Sequence, residues 1–318
     1  LVGSEMCIRD SFYDIMITWY FLNIIENNSL KAEHTEVYMI IDCHTHSRNS
    51  SDADNDTVIE RCERAAQLGL AAMAVTDHCE VNRYFEKARY KIDYEQKYDE
   101  YGFKKSFENS MAEISSAKEL YSGKVNLICG VELGQPLSDI ETAENILSDT
   151  RLDFVIGSMH ELPGHDDFAF LDYSHENIPN LLEEYFNEIY KMCKWGKFDV
   201  LGHLTYALRY IQGEQNIKVD MKPYEEIIRQ ILKTIIQNGC GIEINTSGLY
   251  QKYGKTFPDF KYIKLYRELG GEIITVGSDC HSTRNLANGI KEGIDLASQA
   301  GFKRIAYFKN RKAVFLNI

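Results

Sequence analysis

The sequence predicts a parallel α/β barrel whose active site lies at the carboxyl ends of its strands. Seven short apolar runs recur along residues 39–318, amphipathic helical stretches lie between several of them, and the runs end in histidine, carboxylate or amide side chains. Strands that alternate with helices form βαβ units in a parallel sheet. Polar residues at every strand end fit a closed barrel better than an open sheet, because a barrel gathers those ends at one rim.

The seven runs are β-prone, and near-continuous apolar runs suit strands that are covered on both faces. The first, MIIDCHTH, ends at His44 and His46, and the last, GEIITVGSDCH, ends at Asp279 and His281. The other five are LAAMAVTDH, VNLICGVE, DFVIGSMH, FDVLGH and GCGIEIN, which end at Asp77 and His78, Glu132, His160, His203 and Asn245.

Helical patterns fill the gaps between these runs. Thr57 and Glu60 form a T-x-x-E capping box ahead of an amphipathic stretch, and Gly69 suits its carboxyl cap. Similar stretches lie at 104–121, 179–195, 223–238 and 260–269.

The composition limits the class of protein. A formal charge of -13 argues against a surface that binds nucleic acid by basic attraction, although bound cations would still admit a phosphorylated substrate. The eight cysteines include no C-x-x-C pair, so neither a zinc ribbon nor a compact disulfide framework is expected. We expect buried free thiols and a cytoplasmic protein.

Residues 1–38 differ from the rest of the chain. Their apolar run at 15–25 is shorter than the roughly 20 residues that span a bilayer, and Arg9 is outweighed by acidic neighbours, unlike the start of a signal peptide. We expect a non-native or disordered extension, with native translation from Met39, one barrel domain over 39–318 and no membrane association. A native helix packed on the barrel is the alternative.

The strand ends carry the chemistry. His44 and His46, two positions apart on a strand, point the same way and are able to bind one metal together. Imidazole and carboxylate ligands suit Zn, Fe or Mn, and the lack of thiolates argues against a purely structural zinc site. A lone strand-end histidine is more often a satisfied polar residue, but six of the nine histidines share this pattern. These six are 44, 46, 78, 160, 203 and 281.

The motifs DCHTHS, VTDH, GVELG, IGSMH, LGH and GSDCH, in this order and spacing, resemble those of the PHP (polymerase and histidinol phosphatase) superfamily. The segments GSMHELPGHDDFAFLDY and GIEINTSG resemble its monofunctional histidinol-phosphatase branch. The resemblance covers residues 39–318 and implies a distorted, TIM-like (β/α)7 barrel with two or three divalent metal ions.

The resemblance also implies a ligand set, in which Asp52 is the least defined member because the segment SSDAD also offers Asp54. Asp42 and Asp77 are expected to orient neighbouring ligands. The implied ligands are His44, His46, Glu132 and Asp279 for the first metal, Glu132, His160 and His203 for the second, and Asp52, His78 and His281 for the third.

The predicted reaction is hydrolysis of a phosphate monoester by a hydroxide that bridges two metals. Its predicted catalytic residues are His44, His46, Glu132, His160 and Asp279. The metals and basic side chains would stabilise charge on the phosphoryl oxygens. The resemblance implies L-histidinol phosphate as the substrate and L-histidinol as the product, in histidine biosynthesis.

Four side chains are candidates for substrate contact. Arg48, Arg209 and Arg284 lie in strand-to-helix loops, from which a guanidinium is able to bind phosphate bidentately. The resemblance favours Arg209 and Arg284, and a solvated surface arginine is the alternative for each. His165, with its acidic neighbours in the loop ELPGHDDF, is a candidate contact to an imidazole or amine.

Three other readings compete with this one. Another phosphoesterase of the same superfamily, such as a nucleotide phosphodiesterase or an exonuclease-like module, would use the same cluster. An amidohydrolase-type barrel also begins with H-x-H, but usually ends with a lone aspartate rather than Asp279-x-His281. A non-catalytic binding protein would be expected to lack a ligand, and none of the implied ligands is missing.

Overall fold

A parallel sheet that curls almost into a barrel forms the centre of the fold, in a computed structural model that describes residues 40–81 and 103–318. The predicted extension at 1–38 lies outside the described residues. The sheet contains β1 (Ile41–Thr45), β2 (Ala72–Val75), β3 (His78–Glu80), β4 (Asn126–Gly134), β5 (Phe154–Ser158), β6 (Val200–Leu201), β7 (Gly241–Asn245) and β8 (Ile274–Gly277).

Neighbouring strands are parallel throughout this sheet. Their order is β1-β2-β4-β5-β6-β7-β8, and β3 also pairs with β4. The end of β8 then meets β1, because the N–H of His46 donates to the carbonyl of Cys280 at 3.0 Å and that of Asp279 donates to the carbonyl of His44 at 2.8 Å. The carboxyl ends of all the strands therefore share one rim, and the predicted parallel barrel is confirmed.

Helices follow most of the strands. The predicted capping box is present, since the hydroxyl of Thr57 accepts from the N–H of Glu60 at 3.2 Å, and Gly69 closes the helix with φ 71°. Two of the helices, at Ile140–Leu147 and Ile290–Gln299, were not predicted. The helices are α1 (Val58–Leu68), α2 (Phe103–Leu120), α3 (Ile140–Leu147), α4 (Ile178–Trp195), α5 (Glu225–Gln237), α6 (Phe260–Glu268) and α7 (Ile290–Gln299).

An antiparallel hairpin, β9 (Arg304–Lys309) and β10 (Lys312–Asn317), packs at the opposite end of the barrel from the rim. Phe308 stacks on Phe154 at 4.9 Å inside the barrel. The turn of the hairpin is held at the start of β5, where the N–H of Asn310 donates to the carboxylate of Asp153 at 2.9 Å. This hairpin was not predicted. It fills the amino-terminal end of the barrel with apolar side chains and leaves the rim for polar ones.

A bulge in β1 supplies the first ligands of the rim. The register of β1 against β2 shifts by one residue between Asp42 and Thr45. Cys43 packs in the apolar cluster inside the barrel, while His44, the next residue, contacts Glu132. The extra residue of a bulge allows consecutive side chains to face the same side.

The cysteines match the expectation of buried free thiols, because the seven described ones are buried and unpaired. The described part of the chain also contains no helix with both the length and the apolar content needed to cross a membrane.

Candidate metal centre

Nine side chains predicted to bind metal meet at the rim of the barrel, and we call them the rim cluster. They come from six strands or from the loops that follow them. Three groups of three of these residues offer ligand atoms within 4.8 Å of one another, and a fourth such group joins Glu80 to His78 and His160. The rim cluster consists of His44, His46, Asp52, His78, Glu132, His160, His203, Asp279 and His281.

The first part of the rim cluster lies where β1 meets the end of β8. Nε2 of His44 is 3.0 Å from Nε2 of His46, and Nε2 of His46 is 3.1 Å from Oδ1 of Asp279. Oε2 of Glu132 is 3.3 Å from Nε2 of His44. All four side chains are buried, so their ligand atoms face one another and are shielded from bulk solvent.

The second part lies between the ends of β4, β5 and β6. Oε1 of Glu132 is 2.7 Å from Nε2 of His203 and 3.2 Å from Nε2 of His160. The two histidine Nε2 atoms are 3.2 Å apart. The carboxylate of Glu132 therefore belongs to both the first and the second group of ligand atoms.

The third part is the most exposed. Nε2 of His78 is 3.4 Å from Nε2 of His281, and the carboxylate of Asp52 lies 3.1 Å from His281 and 3.5 Å from His78. Nδ1 of His78 is 2.8 Å from Oε2 of Glu132. Asp52, the least defined of the predicted ligands, thus lies with the rest, and Glu132 reaches all three groups.

Hydrogen bonds at the far side of the imidazole rings settle which nitrogen carries the proton. Nδ1 of His44 is 2.6 Å from Glu243, Nδ1 of His160 is 2.9 Å from Glu80, and Nδ1 of His281 is 2.9 Å from the carbonyl two residues before it. Carboxylates and carbonyls only accept, so each Nδ1 carries a hydrogen, and in the neutral form of each ring the lone pair of Nε2 faces the centre. Lone pairs that converge at about 3 Å need a cation between them, and imidazole with carboxylate fits a divalent metal ion.

The charges of the rim cluster are complementary. Burial by itself would raise the pKa of Glu132, but His44, His160 and His78 hold that pKa well below its usual range. Burial likewise lowers the pKa of His44, but Glu243, Glu132 and Asp279 outweigh it and raise the pKa well above its usual range. The carboxylates are therefore ionised, and they attract positive charge into a buried site.

Asp42 and Asp77 were expected to orient neighbouring ligands. Each of them accepts a hydrogen bond from a residue in a loop that carries a ligand candidate. Nδ1 of His46 is 3.0 Å from the hydroxyl of Ser50, which donates to the carboxylate of Asp77 at 3.0 Å. The carboxylate of Asp42 accepts from the N–H of Ser278, next to the ligand candidate Asp279, at 2.9 Å.

Sequence reasoning missed two carboxylates, Glu80 and Glu243. Both contact ring nitrogens on the far side from the centre, at His160 and His44. Glu243 is a lone charge inside the apolar run GCGIEIN, and a buried charge requires a partner. That signal was present in the sequence, whereas the identity of the partner was not.

Of the four candidates for substrate contact, Arg209 lies beside the rim cluster. Its Nη2 donates to the carboxylate of Asp279 at 3.0 Å and to the hydroxyl of Ser247 at 2.8 Å. Its guanidinium lies 4.9 Å from the ring of Tyr206 and 5.2 Å from that of Phe257. Its Nε is buried without a hydrogen-bond partner among the described residues. Arg209 is thus a fixed, part-buried cation at the edge of the site.

The other three candidates contact residues outside the rim cluster. Arg48 pairs with Glu113 at 2.7 Å. The side chain of Arg284 is 85% exposed and lies 3.5 Å from Asp54, so it is free to move. Nε2 of His165 is 3.8 Å from Glu184. Their roles in substrate binding stay predictions.

The fold and the site together define a metal-binding α/β-barrel protein. The family model described as PHP domain matches residues 42–247, and the chain belongs to this family.

Two relatives are named probable histidinol-phosphatase. The protein from Thermotoga maritima is 27% identical over 271 residues, which is 84% of this chain and 95% of the relative. The protein from Clostridium acetobutylicum is 27% identical over 274 residues, which is 85% of this chain and 98% of that relative.

A solved structure has a similar fold. It is histidinol phosphate phosphatase from Lactococcus lactis, complexed with zinc, L-histidinol and phosphate. Its TM-score is 0.72 at 22% identity, and the match covers 87% of this chain and 99% of that one.

Proposed function

We propose that this chain is a metal-dependent histidinol-phosphatase, which hydrolyses L-histidinol phosphate to L-histidinol and phosphate in the cytoplasm. The observation that carries the proposal is the convergence of three histidine pairs on Glu132, with Nε2 atoms 3.0, 3.2 and 3.4 Å apart within each pair. The names of the relatives, which this chain matches over 95% and 98% of their length, support the substrate.

The proposed ligand set is the rim cluster, divided as the family resemblance implies. Glu132 would be shared between the first two metals, because its two oxygens face different histidine pairs. Zn, Mn and Fe all suit the donors. The first metal would be held by His44, His46, Glu132 and Asp279, the second by Glu132, His160 and His203, and the third by Asp52, His78 and His281.

When bound, the metal ions supply Lewis acidity, which lowers the pKa of water and neutralises charge on the phosphoryl oxygens. Arg209 would bind the phosphate, because its guanidinium is held beside Asp279 by stacking and by a hydrogen bond. The buried first and second parts of the rim cluster would exclude bulk water and strengthen these interactions. The proposed chemistry needs no covalent serine or cysteine nucleophile, and the described thiols are buried.

An assay of the full chain with each metal tests the substrate class. Phosphate release from histidinol phosphate is compared with turnover of an aryl phosphate, a phosphodiester and an N-acyl amino acid. We expect a strong preference for histidinol phosphate. Preference for the diester would move the chain to another phosphoesterase class, and turnover of the amide alone would move it to the amidohydrolases.

The variant His160→Ala tests the second metal. We expect it to lose a metal equivalent and most turnover while the fold stays intact, because Nε2 of His160 is 3.2 Å from both His203 and Glu132. Metal analysis and circular dichroism measure the two effects. Unchanged metal content and activity would contradict the assignment.

A further inference from the structure

Glu80 lies at the end of β3, outside the ligand set proposed above. Its Oε1 is 2.9 Å from Nδ1 of His160 and 3.4 Å from Nδ1 of His78. These two histidines belong to different proposed metals, the second and the third. Oε1 of Glu80 is therefore within hydrogen-bond distance of the outer nitrogen of His160 and only near Nδ1 of His78, which lies closer to Glu132.

Gly134 provides the space for this carboxylate. In the pairing of β3 with β4, Glu80 lies opposite Gly134. A Cβ atom built at Gly134 would collide with the carboxylate, whose three heavy atoms are its nearest neighbours. The backbone of Gly134 does not have a positive φ, so a side chain at this position would be opposed by contact with Glu80 in its present position rather than by backbone strain.

The position of Glu80 lowers the stability of the fold unless another contact of its carboxylate compensates. Its Oε2 is buried and has no hydrogen-bond partner among the described residues. A buried carboxylate oxygen without a partner is destabilising, and such groups call for an explanation. The other oxygen, Oε1, accepts a hydrogen bond from His160, and this contact accounts for the position of the carboxylate.

We infer that Glu80 is a positioning residue, which holds His160 and, through it, the second metal. The inference rests on the proposed metal-dependent function. Because Oε1 accepts from Nδ1–H of His160, it keeps the lone pair of Nε2 directed at Glu132 and His203. Partners of this kind change metal affinity by about 10–100-fold.

The first test compares Glu80→Ala with Glu80→Gln in the full chain. Each metal-free protein is titrated with Zn²⁺ against a chromophoric chelator. We expect Glu80→Ala to weaken one Zn²⁺ site by about 10–100-fold, and Glu80→Gln, which keeps an acceptor oxygen, to stay close to the parent. The control is Glu272→Gln, whose side chain is exposed and pairs with Arg304, and its affinity should match the parent.

Two results would overturn the inference. Parental affinity in Glu80→Ala would show that the carboxylate does not support the site. Equal losses in Glu80→Gln and Glu80→Ala would indicate that Glu80 binds the metal directly. In the His160→Ala background, Glu80→Ala should cause little further loss at that site, because a residue that acts through His160 has no effect without it.

A second test moves the carboxylate without removing it. Gly134→Ala should displace Glu80 and weaken Zn²⁺ binding in the same direction, and the double variant with Glu80→Ala should be no weaker than Glu80→Ala alone. Additive losses would contradict the inference. The readout is metal affinity rather than hydrolysis. Failure of the parent to hydrolyse histidinol phosphate would therefore count against the proposed substrate only. The role of Glu80 would still be decided by the metal affinities.

Discussion

Oε1 of Glu243 lies 2.6 Å from Nδ1 of His44, although 199 residues separate the two in the chain. The other oxygen of Glu243 accepts from the N–H of His203 at 3.0 Å. One carboxylate in the middle of β7 thus orients a ligand candidate on β1 and fixes the backbone of another after β6.

We expect Glu243→Ala to lower metal affinity by about 10–100-fold and to reduce turnover, because the ring of His44 loses the acceptor that fixes its tautomer. The metal affinity and turnover of Glu243→Gln should lie between those of Glu243→Ala and the parent, since its amide oxygen still accepts a hydrogen bond. Elemental analysis of the purified proteins and steady-state kinetics measure both effects. Full metal content and parental turnover in Glu243→Ala would show that His44 does not depend on this partner.

The architecture of the barrel followed from the sequence because the same pattern recurs seven times, and each repeat predicts the same local structure. The hairpin of β9 and β10 escaped prediction because neither strand ends in a histidine or a carboxylate. Its turn residues, Asn310 and Arg311, both adopt positive φ, at 48° and 61°. Asn is favoured in such two-residue turns, so the hairpin signal was present but lay outside the repeating pattern.

The strand-end members of the rim cluster were predictable for the same reason, since parallel strands of a barrel bring their carboxyl ends together, whereas Asp52 came from the family resemblance. The positioning carboxylates were not predicted. Glu80 and Glu243 contact histidines that are 80 and 199 residues away, and no local pattern specifies such a pairing. The bulge in β1, which places His44 in the site, depends on pairing with β2 and is equally invisible in the sequence.

Metal removal should inactivate the protein and lower its thermal stability. A ligand that binds only the folded state at a thousand times its Kd stabilises that state by about 4 kcal/mol. We therefore expect a chelator to lower Tm by several degrees and to abolish phosphate release. Separate additions of Zn²⁺, Mn²⁺ and Fe²⁺ should restore both to different extents. An unchanged Tm with full activity in chelator would contradict the metal centre.

Arg209 and Arg284 are expected to differ in their contribution to catalysis. The side chain of Arg209 is 14% exposed and lies beside Asp279, whereas that of Arg284 is 85% exposed. Removing one fixed donor to a developing negative charge costs about 10²–10³-fold, so Arg209→Ala should lose that much kcat/KM. Arg209→Lys keeps the positive charge but lacks the paired N–H donors of the guanidinium, so it should recover part of the loss in kcat/KM.

Arg284→Ala is the matched comparison and should lose less than about tenfold, as its ion pair with Asp54 is exposed. Metal content is measured in every variant, because Arg209 also contacts Asp279. Equal losses in Arg209→Ala and Arg284→Ala would show that burial does not distinguish the two arginines.

Asp153 supports the far end of the barrel, and its charge gives stability a predictable dependence on pH. Its carboxylate accepts from Lys118 at 2.6 Å and from the N–H groups of Asn310 and Cys129 at 2.9 and 3.1 Å. Burial by itself would raise the pKa of Asp153, but these donors outweigh it and hold the pKa below 3.8. A depressed pKa means that the ionised carboxylate stabilises the folded chain above about pH 3.8 and that this contribution is lost as the pH falls through the folded-state value.

Asp153→Asn should therefore lower the free energy of unfolding at pH 7 by about 1.5–3 kcal/mol, the range for hydrogen bonds to charged groups. The difference in free energy of unfolding between variant and parent should become smaller as the pH is lowered below about 4, because the parent then loses the same charge. Urea unfolding of the metal-free proteins across this pH range measures the gap. Glu268→Gln, which removes an exposed carboxylate near Lys264, should change stability by less than about 0.5 kcal/mol. A gap for Asp153→Asn that is constant with pH would mean that the hairpin depends on the shape of residue 153 and not on its charge.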